Sequence, residues 1–315
     1  MEVRVTRINL QRPLLRRLPA CFAALVPLAL IVNVPPATAQ LAQQKAQIAS
    51  GIDKAVEALD AVPRLKELSP QAKRQLVEFV TGNTLFVVAH ELGHGLINEM
   101  HIPVVGREED AADSFAIVTA LNMGSRFSER VLMEATKGWV LFSKRDKKAG
   151  NALTFHGEHS LNLQRAYNIV CFMVGSDPEK YRTLAADTEF PEERQASCVF
   201  EWKNMAWSWE ELLKKHLRSA GQPKVAVKVE YEETENFAFH ARIMRHMGLL
   251  EAFAEQVADR YTWPNPLTFE ARSCGMANAR WRRQVLTFCY ELADEFIELY
   301  LGYSKLLPAT DRDGR

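Results

Sequence analysis

The chain has 315 residues, with 39 Lys+Arg against 39 Asp+Glu, eight His and five Cys. At 47% hydrophobic and 25% charged it has the composition of a globular protein, which excludes a disordered, collagenous or multi-span membrane chain. A formal charge of zero gives no reason to expect a nucleic-acid partner, which asks for a basic face.

Residues 1–39 read as a secretory signal peptide. Arg4, Arg7, Arg12, Arg16 and Arg17 precede the apolar run Ala20–Val32, and Ala37-Thr38-Ala39 follows with the small residues of a cleavage site. Interrupted by Pro27, this run is short for a membrane span, so an uncleaved anchor is the lesser alternative. The pair Arg16-Arg17 is only a weak twin-arginine export signal. A mature chain starting near Gln40 is expected in the periplasm or outside the cell, with no stable membrane span. Without residues 1–39 the chain holds 34 basic and 38 acidic residues, a net −4. Cys171, Cys198, Cys274 and Cys289 remain, an even count that suggests two disulfides in an oxidising compartment. Three connectivities are possible; the local one, Cys171–Cys198 and Cys274–Cys289, is preferred.

Residues 40–68 read as a helical arm or spacer, leaving 69–315 as the domain proper. Ser69-Pro70 is a helix start. The first helix is expected to run from Gln71 to Thr81 and stop at Gly82-Asn83. A second should begin at Thr84 and close at Ile102-Pro103, and a third near Glu108. Helical patterns continue through Trp139, Leu161–Val174 and Phe200–Leu217. Strands are expected only late, at Val225–Tyr231, Leu267–Ala271 and Gln284–Phe288, within 222–315. A helix from about His240 to Tyr261 lies between them, and Glu291–Leu301 is the last. The fold class expected is α+β, mainly helical, a zincin-like layout with a small sheet on one helix.

The second helix carries His90-Glu91-Leu92-Gly93-His94, the pattern HExxH. Residues i and i+4 lie about 40° apart around a helix, so both imidazoles can face one metal ion. Glu91 is placed to reach a water on that metal without being a ligand. Zinc lowers the pKa of its water to about 7, and Glu91 can take the proton and later give it to the departing amine. A catalytic zinc needs a third protein ligand. Glu109 and Asp113 are again i and i+4, on the next helix. Glu109 is the expected ligand, Glu108 the backup, and Asp113 the partner fixing the tautomer of a ligand histidine. One Zn2+ is expected. The longer pattern HExxHxxGxxH is excluded, because Ile97 and Met100 stand where Gly and His are required and His101 is out of register.

The stretch His90–Phe115 resembles the bacterial metallopeptidases of the DUF4344 group, and gluzincins more widely, where HExxH is followed by ExxAD, here Glu109 to Asp113. The resemblance continues through Glu158-His159-Ser160-Leu161, Arg165 to Cys171, Gly175 to Pro178, Pro191 to Arg194, Cys198 and Ser208-Trp209. It implies a zinc peptidase acting on a peptide or protein, without implying which. Cys274-Gly275, Asn278-Ala279 and Leu286 to Leu292 resemble a block that precedes HExxH in the relatives. A circular permutation would explain the order; a separate C-terminal domain is the alternative.

Among secondary candidates, His159 in His156-Gly157-Glu158-His159 is the expected donor to the transition-state oxyanion, with Arg165 and Tyr167 behind it. The alternative there is a helix cap with surface histidines. Trp202, Trp207 and Trp209 are either a peptide-binding surface or core, and Tyr290 either lines the cleft or packs beside a disulfide. His216, His240 and His246 read as surface or amphipathic-face positions, and Lys144-Arg145-Lys147-Lys148 as a solvated loop. Three functions follow, led by an exported zinc peptidase. The others are a catalytically silent envelope binding or assembly protein of the same fold, and a zinc hydrolase of a non-peptide amide.

Overall fold

Ser69 starts the central helix as the sequence predicts. In the computed structural model, which describes residues 50–306, its extended backbone and its side chain, accepting from the Ala72 N–H, cap α2 (Pro70–Glu99) with Pro70 in the first turn. The expected signal peptide and residues 40–49 lie outside the described residues. The two helices predicted on either side of Gly82-Asn83 are one. Gly82 gives room for a neighbouring helix, since a Cβ there would stand 2.5 Å from Glu134 Cβ. Asn83 is buried and donates to the carbonyls of Phe79 at 2.9 Å and Glu134 at 3.0 Å. A pair that reads as a helix stop is a helix–helix contact.

Residues 50–68, within the stretch expected as a helical arm or spacer, pack on the helices that follow. The described helix α1 (50–58) and the 3-10 turn Leu59–Ala61 bury Ala55, Leu59 and Leu65 in one apolar cluster with Leu76, Met247 and Ile297.

After α2, α3 (Glu108–Asn122) packs back on it, with Gly93 against Ala112 so closely that a Cβ would lie 3.0 Å from Ala112 Cα. Then come α4 (Arg126–Ala149), α5 (Asn162–Ser176), α6 (Arg182–Asp187) and α7 (Glu192–Lys214). The basic run Lys144–Lys148 is the last turns of α4 and not a loop. Arg145 pairs with Glu295 at 2.6 Å and lies over the Phe142 ring. A disulfide joins Cys171 of α5 to Cys198 of α7, with Cα atoms 5.2 Å apart.

The second half holds β1 (Val227–Tyr231), α8 (Ala238–Met247), α9 (Leu249–Arg260), β2 (Leu267–Arg272), β3 (Ala279–Arg282), β4 (Val285–Cys289) and α10 (Tyr290–Tyr303). The helix expected over 240–261 is two, because Gly248 turns the chain with φ +61°. The sheet order is β1-β2-β4-β3, with β3 antiparallel at the edge and the other pairs parallel. Cys274, before β3, pairs with Cys289 at the end of β4, Cα atoms 5.5 Å apart. Leu267, Phe269, Leu286 and Phe288 of the sheet form one core with Val88, Leu92 and Leu96 of α2. The chain is therefore α+β and mainly helical. No helix of the described residues is long and apolar enough to cross a membrane.

Candidate active site

Core packing decides which side of α2 is left for chemistry. Val88, Leu92 and Leu96 are taken by the core, while His90, Glu91 and His94 line a cleft of about 770 Å3. Glu109, Arg107 and His159 line it from the α3 side, and Ala279–Trp281 of β3 and Leu292 and Phe296 of α10 complete it. Gly95 allows this closure, because a Cβ there would stand 2.7 Å from the Trp281 ring.

The side chains converge. His90 Nε2 and His94 Nε2 are 3.1 Å apart, and Glu109 Oε2 lies 3.1 Å from the first and 3.3 Å from the second. Donors about 2.0–2.1 Å from a tetrahedral ion stand about 3.3 Å from one another, so this set fits a small divalent ion. The donors are imidazole and carboxylate, and the four cysteines among the described residues are in disulfides. Asp113 Oδ1 accepts from His90 Nδ1 at 2.8 Å, the far nitrogen of the ring. Glu108 is placed the same way toward His94, 2.8 Å from its Nδ1, and Asn98 donates to that carboxylate at 3.1 Å. It therefore orients His94, and the backup-ligand role is not the one its position suggests.

Burial works against charge here, and ion pairing decides the outcome. Burial lowers the His90 pKa, but the carboxylates of Asp113 and Glu109 outweigh it and hold the ring at about 9. His94 is also raised, again against burial, by Glu109 and Glu108. Glu109 is lowered despite burial, because His159, His90 and His94 surround it. Asp113 is likewise held at about 2, against burial, chiefly by Arg165. Glu91 is the exception: burial raises it, and His90, His94 and the Trp281 N–H only partly oppose this.

Sequence reasoning missed Arg165's part. It lies buried on α5, with Nε and Nη2 each 2.7 Å from Asp113, and its guanidinium covers the Trp139 ring at 3.6 Å. It does not back His159, and neither does Tyr167, which stacks on Phe190. His159 has its Nε2 2.7 Å from Glu109 Oε2 and its ring stacked 6.0 Å from that of His90. None of Trp202, Trp207 and Trp209 lines the cleft; Trp209 is buried and donates to Ser114 Oγ at 2.9 Å. The tryptophans that line it are Trp139 and Trp281. Tyr290 is fully buried and donates to the Glu232 carbonyl at 3.1 Å. His240 is enclosed between Phe237 and Phe239, whereas His246 is exposed.

A family model, DUF4344, described as "Putative metallopeptidase", matches residues 51–213. The chain belongs to the DUF4344 family. Comparison with curated proteins and with solved structures returned no match. The DUF4344 segment covers α1 to α7 but for one residue at each end, and holds every charged group of the convergent cluster; its family description fits a set of side chains able to hold a metal ion. The sheet and α10 come from beyond it, so Ala277–Trp281, Leu292 and Phe296 are cleft walls outside the matched segment.

Proposed function

We propose that this DUF4344 member is an exported zinc-dependent peptidase in which His90, His94 and Glu109 hold one zinc ion and Glu91 moves the proton. One observation carries the reading: two Nε2 atoms and one carboxylate oxygen stand 3.1–3.3 Å apart, in a cleft that the buried Glu91 also lines. Zinc held there supplies polarisation of a carbonyl and acidification of a water molecule.

The remaining work belongs to the chain. Glu91 takes a proton from the attacking water and returns it to the departing amine, a task suited to a carboxyl whose pKa burial has raised. The Trp281 N–H favours the charged form of Glu91. Asp113 and Glu108 hold the two ligand rings from their far nitrogens, which raises their basicity. The outer edge of β3 borders the cleft, and an extended peptide gains main-chain hydrogen bonds by adding there as a strand. His159 serves as oxyanion donor once it releases Glu109.

The signal-peptide pattern of residues 1–39 and the two cysteine pairs support a periplasmic or secreted location. The test is reversible metal removal. Protein treated with 1,10-phenanthroline should stop cleaving denatured polypeptide and recover on adding Zn2+. Hydrolysis that survives full removal of metal would overturn the proposal.

A further inference from the structure

His159 is in the wrong place for a residue that only greets substrate. Its Nε2 approaches Glu109 Oε2, the same oxygen that His90 Nε2 and His94 Nε2 approach, and at 2.7 Å it is the nearest of the three. His90, Glu109 and His159 offer one ligand atom each, all within 4.8 Å of one another. His94 Nε2 is 3.1 Å from His90 Nε2, so three ring nitrogens gather around the one Glu109 oxygen.

The four are held very differently. His90, His94 and Glu109 come from helices locked by core packing, and their side chains are 5%, 14% and 20% exposed. His159 comes from residues 150–161, which contain no helix or strand, and its side chain is 48% exposed. Its neighbour Ser160 pins the segment to α3 by donating to Asp110 Oδ1 at 2.7 Å. The same segment presents Leu153 and Phe155, 62% and 73% exposed, to solvent.

We infer that His159 is a fourth, displaceable side-chain donor to the metal centre, which closes the resting site until substrate draws the 150–161 segment away. A catalytic zinc needs one position free of protein. Three ligands on rigid helices and one on an exposed segment satisfy that need only if the fourth leaves. Leu153 and Phe155 give an apolar stretch of substrate something to pull on, and the Ser160–Asp110 bond sets the resistance. The inference rests on the zinc-peptidase reading and adds a regulatory step to it.

The experiment uses purified protein loaded with Co2+, whose visible absorption reports the number of ligands, and acetohydroxamate as a small competing chelator. His159→Ala should still bind one Co2+, but with weaker bands as water replaces the imidazole. Acetohydroxamate should bind it about tenfold or more tightly than wild type, because the competing closed state is gone. Ser160→Ala, which keeps the imidazole, should shift chelator affinity in the same direction by less. Identical spectra and chelator affinities in wild type and His159→Ala would overturn the inference while leaving the three-ligand centre standing. Stoichiometric Co2+ retained by His94→Ala would instead bring down the centre itself, and this inference with it.

Discussion

Arg165 grips Asp113 with two nitrogens, Nε and Nη2, each 2.7 Å from a carboxylate oxygen. Asp113 passes that constraint to His90 Nδ1 at 2.8 Å, so α5 sets the angle of the His90 ring on α2. Both partners are buried, and Trp139 covers the guanidinium.

Arg165→Met leaves Asp113 buried without its cation. Breaking such a pair costs about 3–5 kcal/mol of stability, and loss of ligand orientation weakens metal binding by about 10–100-fold. Urea unfolding and metal titration measure the two effects separately. The Asp113 carboxyl, held at about 2 against an ordinary 3.8, contributes stability that is complete above pH 3.8 and lost as pH falls through about 2. In Arg165→Met most of that acid-side slope should disappear.

Glu108 and Glu109 are adjacent in sequence but should behave differently. Glu109→Ala removes the oxygen shared by His90 and His94, and stoichiometric metal should be lost. Glu108→Ala removes only the partner of His94 Nδ1, so metal should remain with about 10–100-fold lower affinity. Elemental analysis after dialysis distinguishes the two.

Metal uptake should release protons. The metal-free His90 ring is held protonated up to about 9, and a ligand imidazole must be neutral, so apparent affinity should climb with pH until about 9. For the metal-free protein the sign is opposite: the protonated ring stabilises fully below 6.5, and that contribution is lost as pH rises through about 9. Calorimetry in buffers of different ionisation enthalpy reads the released proton, and thermal melts of metal-free protein read the stability.

Gly95→Ala drives a methyl group into the Trp281 ring. Overpacking of this kind costs about 1–3 kcal/mol. It also displaces the N–H that holds Glu91, so kcat should fall further than metal affinity does. Steady-state kinetics beside a metal titration checks this split.

Much of the His90, His94 and Glu109 cluster was legible because helix period is a local property. Spacing of four puts His90 over His94 and Glu109 over Asp113, and nothing distant is needed to read it. Arg165 was not legible as the partner of Asp113, since 52 residues separate them and only the packing of α5 joins them. Gly82-Asn83 misled for the opposite reason: local propensity says stop, but both residues serve a contact with α4. The 238–260 region erred the other way, a single positive φ at Gly248 ending a periodicity that continues on both sides. Strand β3 was missed because four residues with half-exposed alternation give too weak a signal, yet its Trp281 lies against the motif helix.

The central claim is that Glu91 moves a proton in peptide hydrolysis and holds no metal. Glu91→Gln keeps the shape and the Trp281 hydrogen bond but removes the base. Measured on the same preparation, bound zinc should stay at the wild-type level while kcat on a peptide substrate drops by about 10^2–10^4-fold. Wild-type turnover by Glu91→Gln with zinc in place would contradict the account.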